Sequence, residues 1–249
     1  MSLLPRSGRL AWWGTAWLRG HVGPDDLLDG VLGGADEDEP ERDTAHVVLG
    51  DTGPESLLLE LAAARNRGAD GVGATFPAFG DPVGLRGPRE FAAAAIEAGE
   101  AALLLGAGIG LVPQTVGRAV EWSPYPVDRR PPPDLGEADR GLRTALLAAA
   151  QALADLDVAR WRPEVADELH DLRTAVPLAA PPGTPARCVE LAGRALHLAA
   201  VVDLALEDDG GAISAAEAAA RRSALAPLER ASRHALTAAC SPDGWPPPS

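Results

Sequence analysis

The chain has 249 residues, 22 basic against 36 acidic side chains, and a formal net charge of −14. Every base is arginine, lysine is absent, and alanine fills roughly a fifth of the chain, well above ordinary usage. So acidic a chain lacks the basic face of a general nucleic-acid binder. No apolar run nears the roughly 20 residues of a membrane span, and 46% hydrophobic residues exclude a disordered chain.

Two short helices are expected between Arg9 and Gly34. Leu10, Trp13 and Trp17 fall at i, i+3 and i+7, a packing stripe for a core or a dimer contact. Gly23-Pro24 opens the second helix, Asp25 and Asp26 complement its dipole, and Gly33-Gly34 ends it. An acidic run from Asp36 to Glu41 reads as a solvated loop. Strands and helices then alternate. His46–Leu49, Val72–Phe76 and Ala101–Leu105 read as strands, and helices are expected from Pro54 to Arg67 and from Pro88 to Ala98. Gly106-Ala107-Gly108-Ile109-Gly110 resembles a dinucleotide fingerprint, but Leu111 replaces the third glycine and Pro113 breaks any following helix, so a hairpin turn is expected. Leu111–Val116 and Ala119–Tyr125 complete the strands.

Proline then dominates through Pro133, and beyond it four helices are expected. Asp134 with Glu137 caps the first, Pro163 opens the second and Thr184-Pro185 the third; Ser214 with Glu217 caps the fourth, which Pro227 is expected to kink or break. The fold class is therefore an α/β (or α+β) domain at 1–126 with a mixed, partly parallel sheet, a linker at 127–134, and an all-α helical bundle at 135–240. A flexible tail is expected at 241–249. Cys188 and Cys240 are too few and too far apart for a disulfide framework and read as small buried thiols of a reducing cytoplasm.

One internal repeat stands out. Strand, Gly50-Asp51, Gly53-Pro54 and helix recur as strand, Gly80-Asp81, Gly87-Pro88 and helix, the second with a longer loop. Parallel strands would bring Asp51 and Asp81 to one ligand-binding edge, facing two helix N-termini, with Arg86 and Arg89 beside them to hold an anion. Tight-turn chemistry explains the same Gly, Asp and Pro residues without a ligand. His170, His197 and His234 fall on three expected bundle helices and are the weak candidates for a metal site. No cofactor motif is present, and without lysine the chain cannot be a pyridoxal-phosphate enzyme, a P-loop NTPase or an ordinary protein kinase. The leading expectation is a cytoplasmic, non-catalytic protein binding a small ligand or a protein partner through Asp51 and Asp81. The alternatives are a hydrolase or transferase acting on an anionic substrate through the same residues with Arg86 and Arg89, and a structural homodimer.

Overall fold

The computed structural model describes residues 4–34, 42–50, 53–155, 178–207 and 215–246. Helices α1 (Arg6–Leu18) and α2 (Pro24–Leu32) form as their end signals dictate: the Gly23 N–H donates to Asp26, and Gly33 closes α2 at φ 110°. Strands β1 (Ala45–Gly50) and β2 (Gly53–Ser56) lead into α3 (Leu57–Asn66). Strand β3 (Gly71–Thr75), α4 (Arg89–Ala98), β4 (Ala101–Leu105), β5 (Ile109–Val116) and β6 (Ala119–Pro126) complete the N-terminal half. The glycine-rich segment makes the expected hairpin, with Leu104 paired to Ile109 and Gly106 and Gly108 at positive φ.

The sheet has six strands in the order β2-β1-β6-β5-β4-β3. It is mixed, with β1 and β6 parallel and every other pairing antiparallel. Alternation along β4 divides the core. Ala101 and Leu103 pack with Phe91 and Ala95 of α4, while Ala102 and Leu104 pack with Leu10, Leu27 and Leu61 on the opposite face. A strand covered on both sides reads as an unbroken apolar run, which is how Ala101–Leu105 appears in sequence.

Two features of the repeat are corrected. Gly53-Pro54 opens no helix; it continues an antiparallel hairpin, with Leu49 opposite Pro54, and α3 begins only at Leu57. Proline is tolerated there because β2 is an edge strand, with no neighbour on its outer side. Moreover, β1 and β3 run in opposite senses with β6, β5 and β4 between them. Their carboxyl ends, at Gly50 and Thr75, lie at opposite ends of the sheet, so the two strands do not end at the common edge that parallel strands would form.

The C-terminal half contributes α5 (Leu135–Asp155), α6 (Ala186–Glu207) and α7 (Ala215–Ala239). The expected Asp134 cap is present, accepting the Glu137 N–H at 2.7 Å. Helix α7 packs against both α5 and α6, which hardly meet one another. It runs through Pro227 without the break that was one of the two expected outcomes there. The helix expected from Pro163 and the Ser214 cap lie outside the described residues.

Helix α1 joins the halves. Its Leu10 belongs to the sheet-side core, whereas Ala11 and the fully buried Trp12 pack with Cys240, Ala239 and Leu191. The tryptophan stripe is thus a core contact, although the most buried ring is Trp12, outside the expected spacing. Within the segment expected to be a flexible tail, Ser241 is buried and Trp245 packs back against the helical core. Ala239 O accepts both the Trp12 and the Trp245 indole N–H, and the Cys240 carbonyl accepts the Ala74 N–H of β3. Cys188 and Cys240 are buried, free thiols, and burial pushes Cys188 up to about 12.

Candidate functional site

A cleft of about 1300 Å³ opens between the loop after β3, the segment leading into α5, and the facing sides of α5 and α7. Local chemistry explains its shape. After β3 the chain makes a tight turn closed by paired backbone hydrogen bonds between Ala78 and Asp81. The following loop runs through Gly84 at φ 69°. A Cβ at Gly84 would stand 2.7 Å from the Arg130 guanidinium, so a left-handed glycine lets the loop lie directly on that side chain. The helical walls carry small residues, Gly141, Ala145 and Ala148 on α5 and Ala226 and Ala231 on α7, which leave space between the two helices.

Among the described residues the cleft's charge opposes that of the whole protein: four arginines line it (Arg86, Arg130, Arg140 and Arg230) against two carboxylates, Asp134 and Glu137. Arg86, Arg140 and Arg230 are exposed, and their side chains make no ion pair among the described residues. Arg130 differs. Its side chain is 4% exposed; Nη2 donates to Ser241 Oγ at 2.7 Å and reaches Asp243 at 3.5 Å. Its Nε and Nη1 are buried without a hydrogen-bond partner among the described residues. Burial pushes its pKa below the ordinary arginine value, against the pull of Asp243. A desolvated guanidinium with unused donors is costly unless something else meets it.

His234 of α7 also lines the cleft. Its Nε2 lies 2.8 Å from Asp81 Oδ1, while Arg233 donates to Oδ2 of the same carboxylate at 3.0 Å. Burial raises the Asp81 pKa, but the bonds from His234 and Arg233 outweigh it and hold the carboxyl below its ordinary value. Asp81 therefore sits behind the cleft wall, tying the turn after β3 to α7.

Among the residues singled out in sequence, Asp81, Arg86 and His234 meet at or beside this cleft. Arg89 is exposed at the start of α4 and does not line it. Asp51 and His170 lie outside the described residues, His197 is half-buried on α6, and no group able to hold a metal ion occurs among the described residues. Sequence reasoning missed Arg130, Arg140 and Arg230. The first hides in a proline run, and the others have the spacing of ordinary solvated helix faces.

A second charged cluster lies near the start of α1. Asp43, 4% exposed at its side chain, pairs with Arg6 at 2.8 Å, with the buried Arg9, and with His46 Nε2 at 3.1 Å. The Glu100 carboxylate accepts the Ser7 N–H at 2.7 Å and so caps the first turn of α1, which Pro5 cannot do with its side chain. His46 Nδ1 accepts the Trp122 indole N–H at 3.2 Å, so the imidazole is neutral with its proton on Nε2, donated to Asp43. Both ring nitrogens are thus occupied, and the cluster serves the fold.

This cluster makes stability depend on pH. Burial pushes His46 below its ordinary value of 6.5, with Asp43 pulling the other way. The unfolded chain then takes up the proton first. Stability is complete above the ordinary histidine value and declines as pH falls from it towards the folded one. Burial raises Asp43, but hydrogen bonds from His46 and Arg6 and the Arg9 charge outweigh it, so its contribution is lost only at still lower pH. Glu100, pushed up by burial, acts with the opposite sign, its contribution fading as pH rises through the folded value. Comparing variants therefore isolates the histidine. In urea unfolding at pH 7 and pH 5, His46→Gln should lose less stability on acidification than the wild type. Equal losses would contradict the neutral, buried imidazole.

Comparison with known proteins places both halves of the chain. The model of the Rv1486c-like protein, N-terminal domain, matches residues 7–137, and that of the C-terminal domain matches residues 136–237. "Uncharacterized protein Rv1486c" of Mycobacterium tuberculosis (strain ATCC 25618 / H37Rv) is 29% identical over 283 residues, covering 95% of this chain and 97% of that protein. "Uncharacterized protein MT1533" of the strain CDC 1551 / Oshkosh has the same identity and coverage. No solved structure matches. With the N-terminal model alone covering more than half of its length and the C-terminal model most of the remainder, the chain belongs to the Rv1486c-like family.

Proposed function

We propose that the chain is a binding protein for a small anion, taken up in the cleft between the loop after β3, the Arg130–Asp134 segment and helices α5 and α7. The observation that carries this reading is Arg130, a buried guanidinium with two unpartnered nitrogens at the wall of a cleft that, among the described residues, has twice as many arginines as carboxylates. An anion reaching that guanidinium past the Gly84 loop would supply the missing acceptors, and charge-assisted hydrogen bonds in a desolvated setting are the strong ones. The exposed arginines draw the ligand in against the overall negative charge. The reading takes the C-terminal half as an all-α bundle of which α5, α6 and α7 are described, and the protein as cytoplasmic; among the described residues no helix is long and apolar enough to cross a membrane.

The Asp81–His234 pair gives a hydrolase reading some support, because it presents an oriented imidazole to the cleft. The hydroxyl of Ser223, the serine lining the cleft, belongs to the same helix eleven positions earlier, about 16 Å along the axis. Binding is the better-supported reading for that reason.

Calorimetric titration with phosphate, sulfate and short carboxylates tests it. At least one should bind and raise the melting temperature, and Arg86→Gln/Arg230→Gln should weaken it about tenfold, as expected for two exposed charge contacts. Binding by none of these anions, or binding indifferent to the double variant, would overturn the reading.

A further inference from the structure

We infer that the ligand carries an apolar body as well as its charge. It is a soluble amphipathic monoanion, of the class of short- and medium-chain carboxylates and their alkyl sulfate counterparts. This rests on the anion-binding reading above and adds the other half of the molecule.

Charge and apolar surface share the cleft. Arg86, Arg140 and Arg230 are exposed, while Arg130 and Thr237 are buried lining residues. Beside them, Val83 and Leu85 of the loop and Ala138, Ala145 and Ala231 of the helices are half-buried wall residues. Those wall positions offer no hydrogen-bonding side chain, so ordered water filling the space between them finds few side-chain partners. An inorganic ion could use the arginines but would leave this wall in water. An alkyl or aryl body covers it and gains about 0.8 kcal/mol for each buried methylene. The volume, about 1300 Å³, exceeds the roughly 300–1,000 Å³ typical of small-molecule sites, ample for such a body. The small residues on α5 and α7 open this space, and the unpartnered nitrogens of buried Arg130 supply the independent sign that a charged ligand enters it.

The test is a homologous series, propanoate to heptanoate, titrated calorimetrically into the full chain beside 1-alkanols of equal length. The dissociation constant should fall about fourfold per methylene until the wall is covered. The alkanols should bind at least tenfold more weakly. Ala148→Gln/Ala226→Gln, at two exposed helical positions lining the cleft, should flatten the dependence on chain length without unfolding the protein. Arginine-dependent binding that ignores chain length would overturn the apolar body and leave the anion reading intact. Alkanols binding as tightly as alkanoates, or no binding in either series, would overturn the anion reading and this inference with it. A chain-length dependence unchanged by the alanine variants would place the body elsewhere and overturn the inference alone.

Discussion

Exchanging Asp43 for alanine is expected to lower stability by about 3–5 kcal/mol, the cost of taking one partner from a buried charge network. Asp43 is the acceptor shared by Arg6, Arg9 and His46. Arg9 is the critical member, with its side chain 8% exposed and its Nε already without a partner. Without Asp43 its charge remains in a desolvated place, and burial already pushes its pKa down against the pull of that carboxylate. The damage would spread. Arg6 and Arg9 sit on α1, which lies in both cores, so loosening its first turn frees Trp12 from the helices and Leu10 from the sheet. Urea unfolding followed by circular dichroism at pH 7 measures the effect. Asp43→Asn should recover part of the loss, since it keeps the shape and an acceptor but removes the charge. A loss below about 1 kcal/mol for the alanine variant would mean that Glu100 or water replaces Asp43, contrary to the burial described.

What could be read from the sequence follows the range of the interactions involved. Helix ends are local matters. Gly23-Pro24-Asp25-Asp26 and Asp134 with Glu137 announce their helices because cap and capped amide lie within one turn. The hairpin at Gly106–Gly110 is equally local. Strand direction has no such signal. A helix between β3 and β4 has the outline of a parallel crossover, yet the two strands pair antiparallel, Thr75 opposite Ala101. Gly53-Pro54 misleads because proline suits a helix start and an edge strand alike, and only the order of strands decides between them.

The candidate site was hidden for the same reason. Asp81 was visible as a turn residue, but its partners Arg233 and His234 stand more than 150 positions away. Arg130 reads as part of a linker because its burial depends on Gly73, Gly84 and Ser241, each in a different stretch of chain. Excess alanine was plain from the outset, whereas its consequence, a groove between α5 and α7, needed both helices in place.

Arg130→Met should separate binding from stability more sharply than any other substitution. Removing Asp43 strands buried charges; removing Arg130 leaves the Asp243 side chain 21% exposed and in contact with water, and the Ser241 hydroxyl still donates to the Thr237 carbonyl. Methionine has about the length of the lost side chain and adapts to irregular space. Replacing a desolvated, half-satisfied guanidinium with an apolar group of similar volume is often neutral or stabilising, so the melting temperature should hold or rise. Affinity should behave oppositely. A desolvated charge contact is worth about 2–5 kcal/mol, a thirtyfold loss or more and larger than that of the exposed Arg86→Gln/Arg230→Gln pair. The measurement is a thermal melt and a calorimetric titration of the same variant with the tightest-binding carboxylate. A melting temperature lowered by many degrees would make Arg130 a structural strut of the linker and remove the observation on which the site rests. Unchanged affinity in a folded variant would show that the anion never reaches the buried nitrogens. Held stability with lost affinity is the expected pair of results, and it is the mark of a side chain whose desolvation is offset by its ligand and by little within the fold.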